Sequence, residues 1–115
     1  MDASVTNLFV YPESGAPGQE LDSFEVTPEG PEGNRSKQNA VHLVTADEYV
    51  ATHPRANVVL DVDTDTLHQM VGRVIRLGDC TLKVTRKPTN CPGVYADVVE
   101  PGTVRVEDSL LVADS

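Results

Sequence analysis

The residues best suited to carry out chemistry are a cysteine and the two cations that precede it. Cys91 lies in the segment 86–93 (RKPTNCPG), which begins with Arg86 and Lys87. Pro88 stands three residues before the cysteine and Pro92 directly follows it. The thiolate is the reactive form of cysteine, and neighbouring Lys or Arg side chains favour it. The pattern is therefore consistent either with a reactive thiol on a stiff loop or with an incidental cysteine.

Charge is unevenly distributed along the chain. The formal net charge is −9, which argues against nucleic acid and anionic membrane surfaces as partners, because both require clustered Lys and Arg. Within residues 73–87, however, five cations accompany the single acid Asp79. We therefore expect the basic patch of the molecule in the part of the chain that leads to Cys91. It would be formed by Arg73, Arg76, Lys83, Arg86 and Lys87.

The elements that must position this loop are short segments rich in Val and Leu, typical of β-strands. With 115 residues, the chain can build one hydrophobic core, so residues 1–115 are predicted to form a single domain. We predict a mostly β fold of about eight short strands: a small, mostly antiparallel β-sandwich or a closed or partly open β-barrel. One or two short helices are expected, at 46–52, where Thr45 and Glu48 have the capping-box spacing, and at 63–70. The predicted strands are 5–11, 21–26, 40–45, 57–62, 73–77, 80–86, 94–99 and 104–112.

Other groups that can bind metals have structural interpretations. Cys80 lies within a predicted strand, which favours a buried, unreactive thiol. His42 lies in an apolar strand and is predicted to be structural. The acidic segment 61–65 begins like a calcium-binding loop, but Thr66 and Gly72 stand where the EF-hand requires Gly and Glu. A solvent-exposed acidic turn is predicted there instead.

Three stretches, in this order, resemble the body of a MOSC domain, the family named for the C-terminal domain of molybdenum cofactor sulfurases. They are 55–60 (RANVVL), 71–85 (VGRVIRLGDCTLKVT) and 91–99 (CPGVYADVV). They are similar to the family's Arg-Xaa-Asn strand, its glycine-containing hairpin and its cysteine segment. Further upstream, Tyr11-Pro12 and 30–35 (GPEGNR) are similar to the family's Tyr-Pro-Val-Lys-Ser and Gly-Xaa-Xaa-Gly-Asp-Arg motifs. The chain looks most like a small stand-alone bacterial member.

The resemblance implies a barrel of the pyruvate-kinase type with molybdenum cofactor (molybdopterin) beside the cysteine. Cys91 would be the catalytic residue, either as a persulfide sulfur carrier or as the molybdenum ligand. Ser14 and Gly15 stand where the family has Lys-Ser, so one cationic phosphate contact is missing. The remaining candidate cofactor-binding residues are Arg35 as a phosphate contact, Arg55 and Asn57 as residues that shape the cleft, and Arg86, Lys87 and Asn90 beside the thiol.

The activity stays open between sulfur transfer and molybdenum-dependent reduction of N-hydroxylated compounds. The expected partners are a small molecule or cofactor and a sulfur-donor or reductase protein. A different class of function is a non-catalytic β-barrel that binds a small anionic ligand or a partner protein, with the thiol incidental. Two cysteines and the lack of a basic region after Met1 lead us to expect a cytoplasmic protein with reduced thiols.

Overall fold

The computed structural model describes residues 3–13, 15–34, 40–89 and 92–113. These residues form eleven β-strands and two short helices. In chain order they are β1 (Val5–Val10), β2 (Gln19–Leu21), β3 (Ser23–Thr27), β4 (Gly30–Pro31), β5 (Val41–Thr45), α1 (Ala46–Thr52), β6 (Val58–Leu60), α2 (Thr64–Gln69), β7 (Val74–Leu77), β8 (Cys80–Arg86), β9 (Val94–Glu100), β10 (Gly102–Arg105) and β11 (Leu110–Val112).

Eight of these strands form one sheet in the order β11-β7-β8-β9-β5-β6-β1-β2, which curves into a half-barrel. Strands β10, β3 and β4 form a second, smaller sheet. Opposite sides of the large sheet are drawn together at one end, where Leu110 N donates to Ala3 O and Val5 N to Asp108 O, both at 2.9 Å. The predicted mostly β fold, a small and partly open barrel, is confirmed.

The interior of the barrel is filled by alternate side chains of the strands, as expected when one face of each strand turns inward. Leu67 and Met70, from α2 and the residue after it, pack into the same core. The largest fully buried side chains of this core are Leu8, Leu43, Leu60, Leu67, Ile75, Leu77 and Leu82.

Helix α1 covers the outer face of part of the sheet. A second buried cluster lies there, composed of Phe9, Tyr11, Val44, Ala56 and Val59. The Tyr49 ring of α1 stacks on Phe9 with 5.3 Å between ring centroids. Parts of β1, β5 and β6 are thus buried on both faces, which explains the continuous apolar runs 8–10, 43–44 and 58–60.

The capping box predicted for α1 is present. The Thr45 hydroxyl accepts from Glu48 N at 3.0 Å, and Glu48 Oε1 accepts from Thr45 N at 2.9 Å. The second helix begins after Asp63, whose carboxylate accepts from Thr66 N at 2.6 Å. The acidic segment 61–65 is therefore used in part to start a helix.

The observed strands differ from the expected pattern. The predicted strand 104–112 is divided into β10 and β11, which belong to different sheets. The predicted strand 21–26 is divided at Asp22 into β2 and β3, which belong to different sheets. Strands β5 and β6 run parallel, whereas the other paired strands are antiparallel. A parallel pair requires a crossover connection, and α1 provides it. No helix in the described ranges is long and apolar enough to cross a membrane.

Candidate functional site

The predicted site residues divide into two groups. Arg35, Asn90 and Cys91 lie outside the described residues, as does Ser14. The site is therefore described through the remaining candidates and through the chain up to Thr89 and from Pro92 onwards. The described candidates are Arg55, Asn57, Arg86 and Lys87.

The two residues that follow Cys91 are held by side chains from the covered part of the sheet. His42 Nε2, on β5, lies 2.8 Å from the carbonyl oxygen of Pro92. Because a carbonyl oxygen only accepts, Nε2 must carry the hydrogen. Glu48 Oε2, on α1, accepts from Gly93 N at 3.1 Å. The exit from the cysteine segment is thus attached to both β5 and α1.

Gly93 has a backbone conformation and an environment that require glycine. Its φ is +86°, in the left-handed region. A Cβ atom at this position would overlap the carbonyl oxygen of Leu43 and lie 2.7 Å from Val44 Cγ1. The start of β9 therefore lies directly against β5, and the Pro-Gly pair after Cys91 is built into the barrel wall.

Glu48 joins three elements. Its side chain is 11% exposed, and one carboxylate oxygen caps α1 while the other binds the Gly93 amide. The same Oε2 lies 3.9 Å from His68 Nε2, on α2. The sequence indicated Glu48 only as a capping residue. Its contact with Gly93 spans 45 residues and has no local sequence signal.

The residues that precede Cys91 present positive charge to solvent. Arg86 and Lys87 are both exposed. The Arg86 guanidinium lies 5.0 Å from the centroid of the Tyr95 ring, within cation–π range. The Tyr95 ring in turn lies 4.9 Å from the His42 ring. A cation, a phenol and an imidazole thus form a row across β8, β9 and β5.

Asn57 and Arg55 are engaged with the backbone. Asn57 is 4% exposed, its Oδ1 accepts from His42 N at 3.1 Å, and its Nδ2 donates to Phe9 O at 3.2 Å. Arg55 is exposed and donates to Ala16 O at 2.6 Å and to Glu13 O at 3.1 Å. Both side chains stabilise the framework of the barrel and its first long loop.

Arg55 also packs against an aromatic ring. Its guanidinium lies 4.4 Å from the Tyr11 ring centroid. Burial is the main cause that raises the pKa of the Tyr11 hydroxyl, with a further contribution from Tyr49, and Arg55 opposes this shift. Arg55 therefore stabilises the loop through both backbone and aromatic contacts.

The second cysteine is inert, as predicted. Cys80 is fully buried, and burial raises the pKa of its thiol to about 11. At neutral pH it is protonated and inaccessible, so any reactive thiol must be Cys91.

Metal-binding potential is low in the part of the chain that the structure describes. No group of three or more His, Cys, Asp or Glu side chains there is arranged to hold a metal ion. A pocket of about 380 Å³ is lined by three carboxylates, from Asp47, Asp61 and Asp63, together with Ala46, Val62 and Thr66. Its charge would repel a phosphate group.

Together these residues define a small, partly open β-barrel in which a Pro-Gly junction after a cysteine is fastened to the barrel wall. Crystal structures of bacterial proteins share this fold. YuaD from Bacillus subtilis superposes with a TM-score of 0.75 at 13% identity, over 96% of this chain and 94% of its own. YiiM from Escherichia coli gives 0.73 at 14% identity, over 100% and 71%. YiiM from Geobacillus stearothermophilus gives 0.72 at 15% identity, over 97% and 75%.

The sequence comparisons are negative. No family model matches the chain, and no curated protein sequence matches it. At 13–15% identity the structural likeness shows the fold alone.

Proposed function

We propose that this chain is a MOSC-like domain in which Cys91 is the reactive group, either as a sulfur carrier or as a thiolate ligand of a molybdenum cofactor. The observation that carries the proposal is the attachment of Pro92 and Gly93, which follow the thiol, to His42 and Glu48. Support from the fold comes from YuaD and YiiM, which are MOSC-domain proteins.

The electrostatic setting of the cysteine segment favours an anion. Arg86 and Lys87 are exposed, and they stand five and four residues before the thiol in the chain. Positive charge near a thiol favours the thiolate over the protonated form. The same cations attract anionic groups such as a persulfide or a phosphate.

As a sulfur carrier, Cys91 would act without a net change in oxidation state. Its thiolate attacks the terminal sulfur of a persulfide on a donor protein and forms a new S–S bond. The S–S bond of the donor breaks, and the donor leaves as a thiolate. Such exchange is fastest when the attacking thiol has a pKa near ambient pH, which is the condition that neighbouring cations promote.

The described residues fit a molybdenum cofactor in part. A cysteine thiolate is a soft ligand of the kind that many transition metals prefer, and Arg86 and Lys87 are available to a phosphate. When bound, the cofactor would supply a redox-active metal. Arg55 and Asn57 make their hydrogen bonds to backbone atoms, so we assign them a role in shaping the framework around the site.

Alkylation kinetics test the reactive thiol. Iodoacetamide should modify Cys91 near neutral pH faster than it modifies a free model thiol, while the buried Cys80 stays unmodified and Cys91→Ser abolishes the reaction. Cys80→Ala is the matched control that leaves Cys91 as the single thiol. Alkylation no faster than that of the model thiol, in protein shown to be free of molybdenum, would leave the chain as a non-catalytic barrel.

Metal content separates the two roles of the thiol. The protein is produced in a host with intact molybdenum cofactor synthesis, and molybdenum is measured by elemental analysis in the wild type and in Cys91→Ser. About one molybdenum per chain in the wild type and a loss of it in the variant would assign the thiolate as a ligand. A reactive Cys91 without molybdenum would favour the sulfur carrier and exclude molybdenum-dependent reduction.

A further inference from the structure

Glu48 makes a contact that helix capping does not require. A capping box needs only one of its carboxylate oxygens, and Oε1 serves that purpose at 2.9 Å from Thr45 N. The other oxygen, Oε2, accepts from Gly93 N at 3.1 Å. With the side chain 11% exposed, solvent competes weakly for this bond, so the contact is a stable feature of the fold.

His42 makes the complementary contact to the same peptide group. The carbonyl oxygen of Pro92 and the amide of Gly93 belong to one planar peptide unit, and the carbonyl accepts from His42 Nε2 at 2.8 Å. In a trans peptide these two polar groups point in opposite directions, and the described chain contains no cis peptide. The peptide plane is therefore held on both sides, by an acceptor and a donor from different elements.

We infer that Glu48 and His42 are positioning residues for Cys91. By fixing the plane of the Pro92–Gly93 peptide, they set the direction in which the chain leaves β9 towards the thiol. They act through the backbone of the Pro92–Gly93 peptide. This inference deepens the proposed function and rests on the reactive role of Cys91 given there.

The distinguishing variant is Glu48→Gln. Glutamine has the same length but one acceptor oxygen, so it cannot accept from both Thr45 N and Gly93 N. The matched control is Thr45→Ala, which removes the hydroxyl that accepts from Glu48 N at 3.0 Å. It disturbs the same helix start and leaves both carboxylate oxygens of Glu48 in place.

Two measurements on the full chain decide the inference. Hydrogen–deuterium exchange, followed by mass spectrometry, reports on the Gly93 amide, and iodoacetamide alkylation near neutral pH reports on Cys91. In Glu48→Gln we expect exchange at Gly93 to rise about tenfold, the effect of losing one charge-assisted hydrogen bond, and the alkylation rate to fall about threefold or more. In Thr45→Ala both quantities should stay within about twofold of the wild type.

The outcomes separate this inference from the proposed function. Unchanged exchange at Gly93 both in Glu48→Gln and in Glu48→Ala, which removes both oxygens, or equal changes in Glu48→Gln and Thr45→Ala, would overturn the positioning role. Faster exchange with an unchanged alkylation rate would also overturn it, because the bond would then anchor the backbone without affecting the thiol. An unreactive Cys91 in the wild type would instead overturn the proposed function, and exchange alone would then decide whether Glu48 anchors the peptide group.

Discussion

The large sheet has two halves, and the outer face of one is covered by other residues whereas the outer face of the other is exposed to solvent. Strands β5, β6 and β1 are covered on the outside by the cluster around Phe9 and Val44 and by α1. The outer face of the other half, formed by β11, β7, β8 and β9, is open to solvent. Leu111 on β11, Arg76 on β7 and Lys83 on β8 are exposed there. The covered half supplies the side chains that hold the backbone after Cys91, and the open half supplies the cations before it.

Because of this difference, the covered half can hold side chains in fixed positions and the open half can present charge. A layer buried on both faces holds its side chains in defined positions because close packing leaves them little freedom. A face exposed to solvent can present charge without a desolvation penalty. The segment 86–93 connects β8 and β9, both in the open half, and Pro92 and Gly93 at its end bond to His42 and Glu48 of the covered half.

The largest expected effect is at the junction of the halves. Gly93→Ala adds strain at φ +86° and a clash with the Leu43 carbonyl, and we expect it to lower the free energy of unfolding by about 4 kcal/mol. Gly72→Ala is the matched control, because Gly72 has φ +87° with no atom within 4 Å of the added Cβ. Its cost should be about 1 kcal/mol, from backbone strain alone. Equal losses in chemical denaturation would show that the junction is not tightly packed.

Asn57→Ala tests the covered half. The substitution leaves the amide of His42 and the carbonyl of Phe9 without their side-chain partner, and we expect a loss of about 3 kcal/mol for two buried polar groups. Asp97→Ala is the equivalent polar deletion on the exposed face of β9, where the expected change is within about 0.5 kcal/mol. Similar losses measured in urea would contradict the distinction between the halves.

The pH dependence of the free energy of unfolding tests whether Cys80, on the inner face of the open half, is shielded from solvent. Burial raises its thiol pKa from 9.0 to about 11, so the unfolded chain releases the proton at lower pH than the folded protein does. The associated stability is fully present below pH 9 and is lost as pH rises through about 11; two pKa units correspond to about 2.7 kcal/mol, of which about 2 kcal/mol is lost by pH 11. We expect the wild type to lose this amount more than Cys80→Ala between pH 8 and pH 11. A difference near zero would mean that solvent reaches the thiol.

The smallest effect is expected on the outer face of β11. Leu111 is 58% exposed, so Leu111→Thr should change the free energy of unfolding by about 0.5 kcal/mol or less. Val44→Thr places the same hydroxyl in the fully buried cluster beneath α1 and should cost about 2 kcal/mol. A large loss at Leu111 in thermal denaturation would show that another surface covers this face.

Local signals in the sequence predicted much of the fold. The spacing of Thr45 and Glu48 predicted α1, and the Val- and Leu-rich segments 73–77 and 80–86 predicted β7 and β8, because caps and strand patterns depend on neighbouring residues. The alternation around Cys80 predicted its burial. The parallel pairing of β5 with β6 was not anticipated, although a helix between two apolar strands is the usual signal of such a crossover.

The candidate site was predictable to a lesser extent. Exposed cations beside the cysteine segment follow from composition and are present at Arg86 and Lys87. The contacts of Glu48 and His42 with the Pro92–Gly93 peptide join residues that are 45 and 50 positions apart. Only the folded topology brings them together, so no local pattern marks them. The chemical role of Cys91 stays a prediction.

Strand β1 has a consequence for how the molecule reaches its native state. One of its two neighbours in the sheet is β6, about fifty residues later in the chain, so β1 is synthesised well before this partner. Its first residues also bond to the segment 107–110. Such pairings slow folding, because the long loop between two distant strands must be closed, at a cost in entropy, before their contacts form. During translation the edge of β1 that pairs with β6 has no partner until β6 emerges and can associate with other nascent chains, so this barrel should benefit from a chaperone until its later strands emerge.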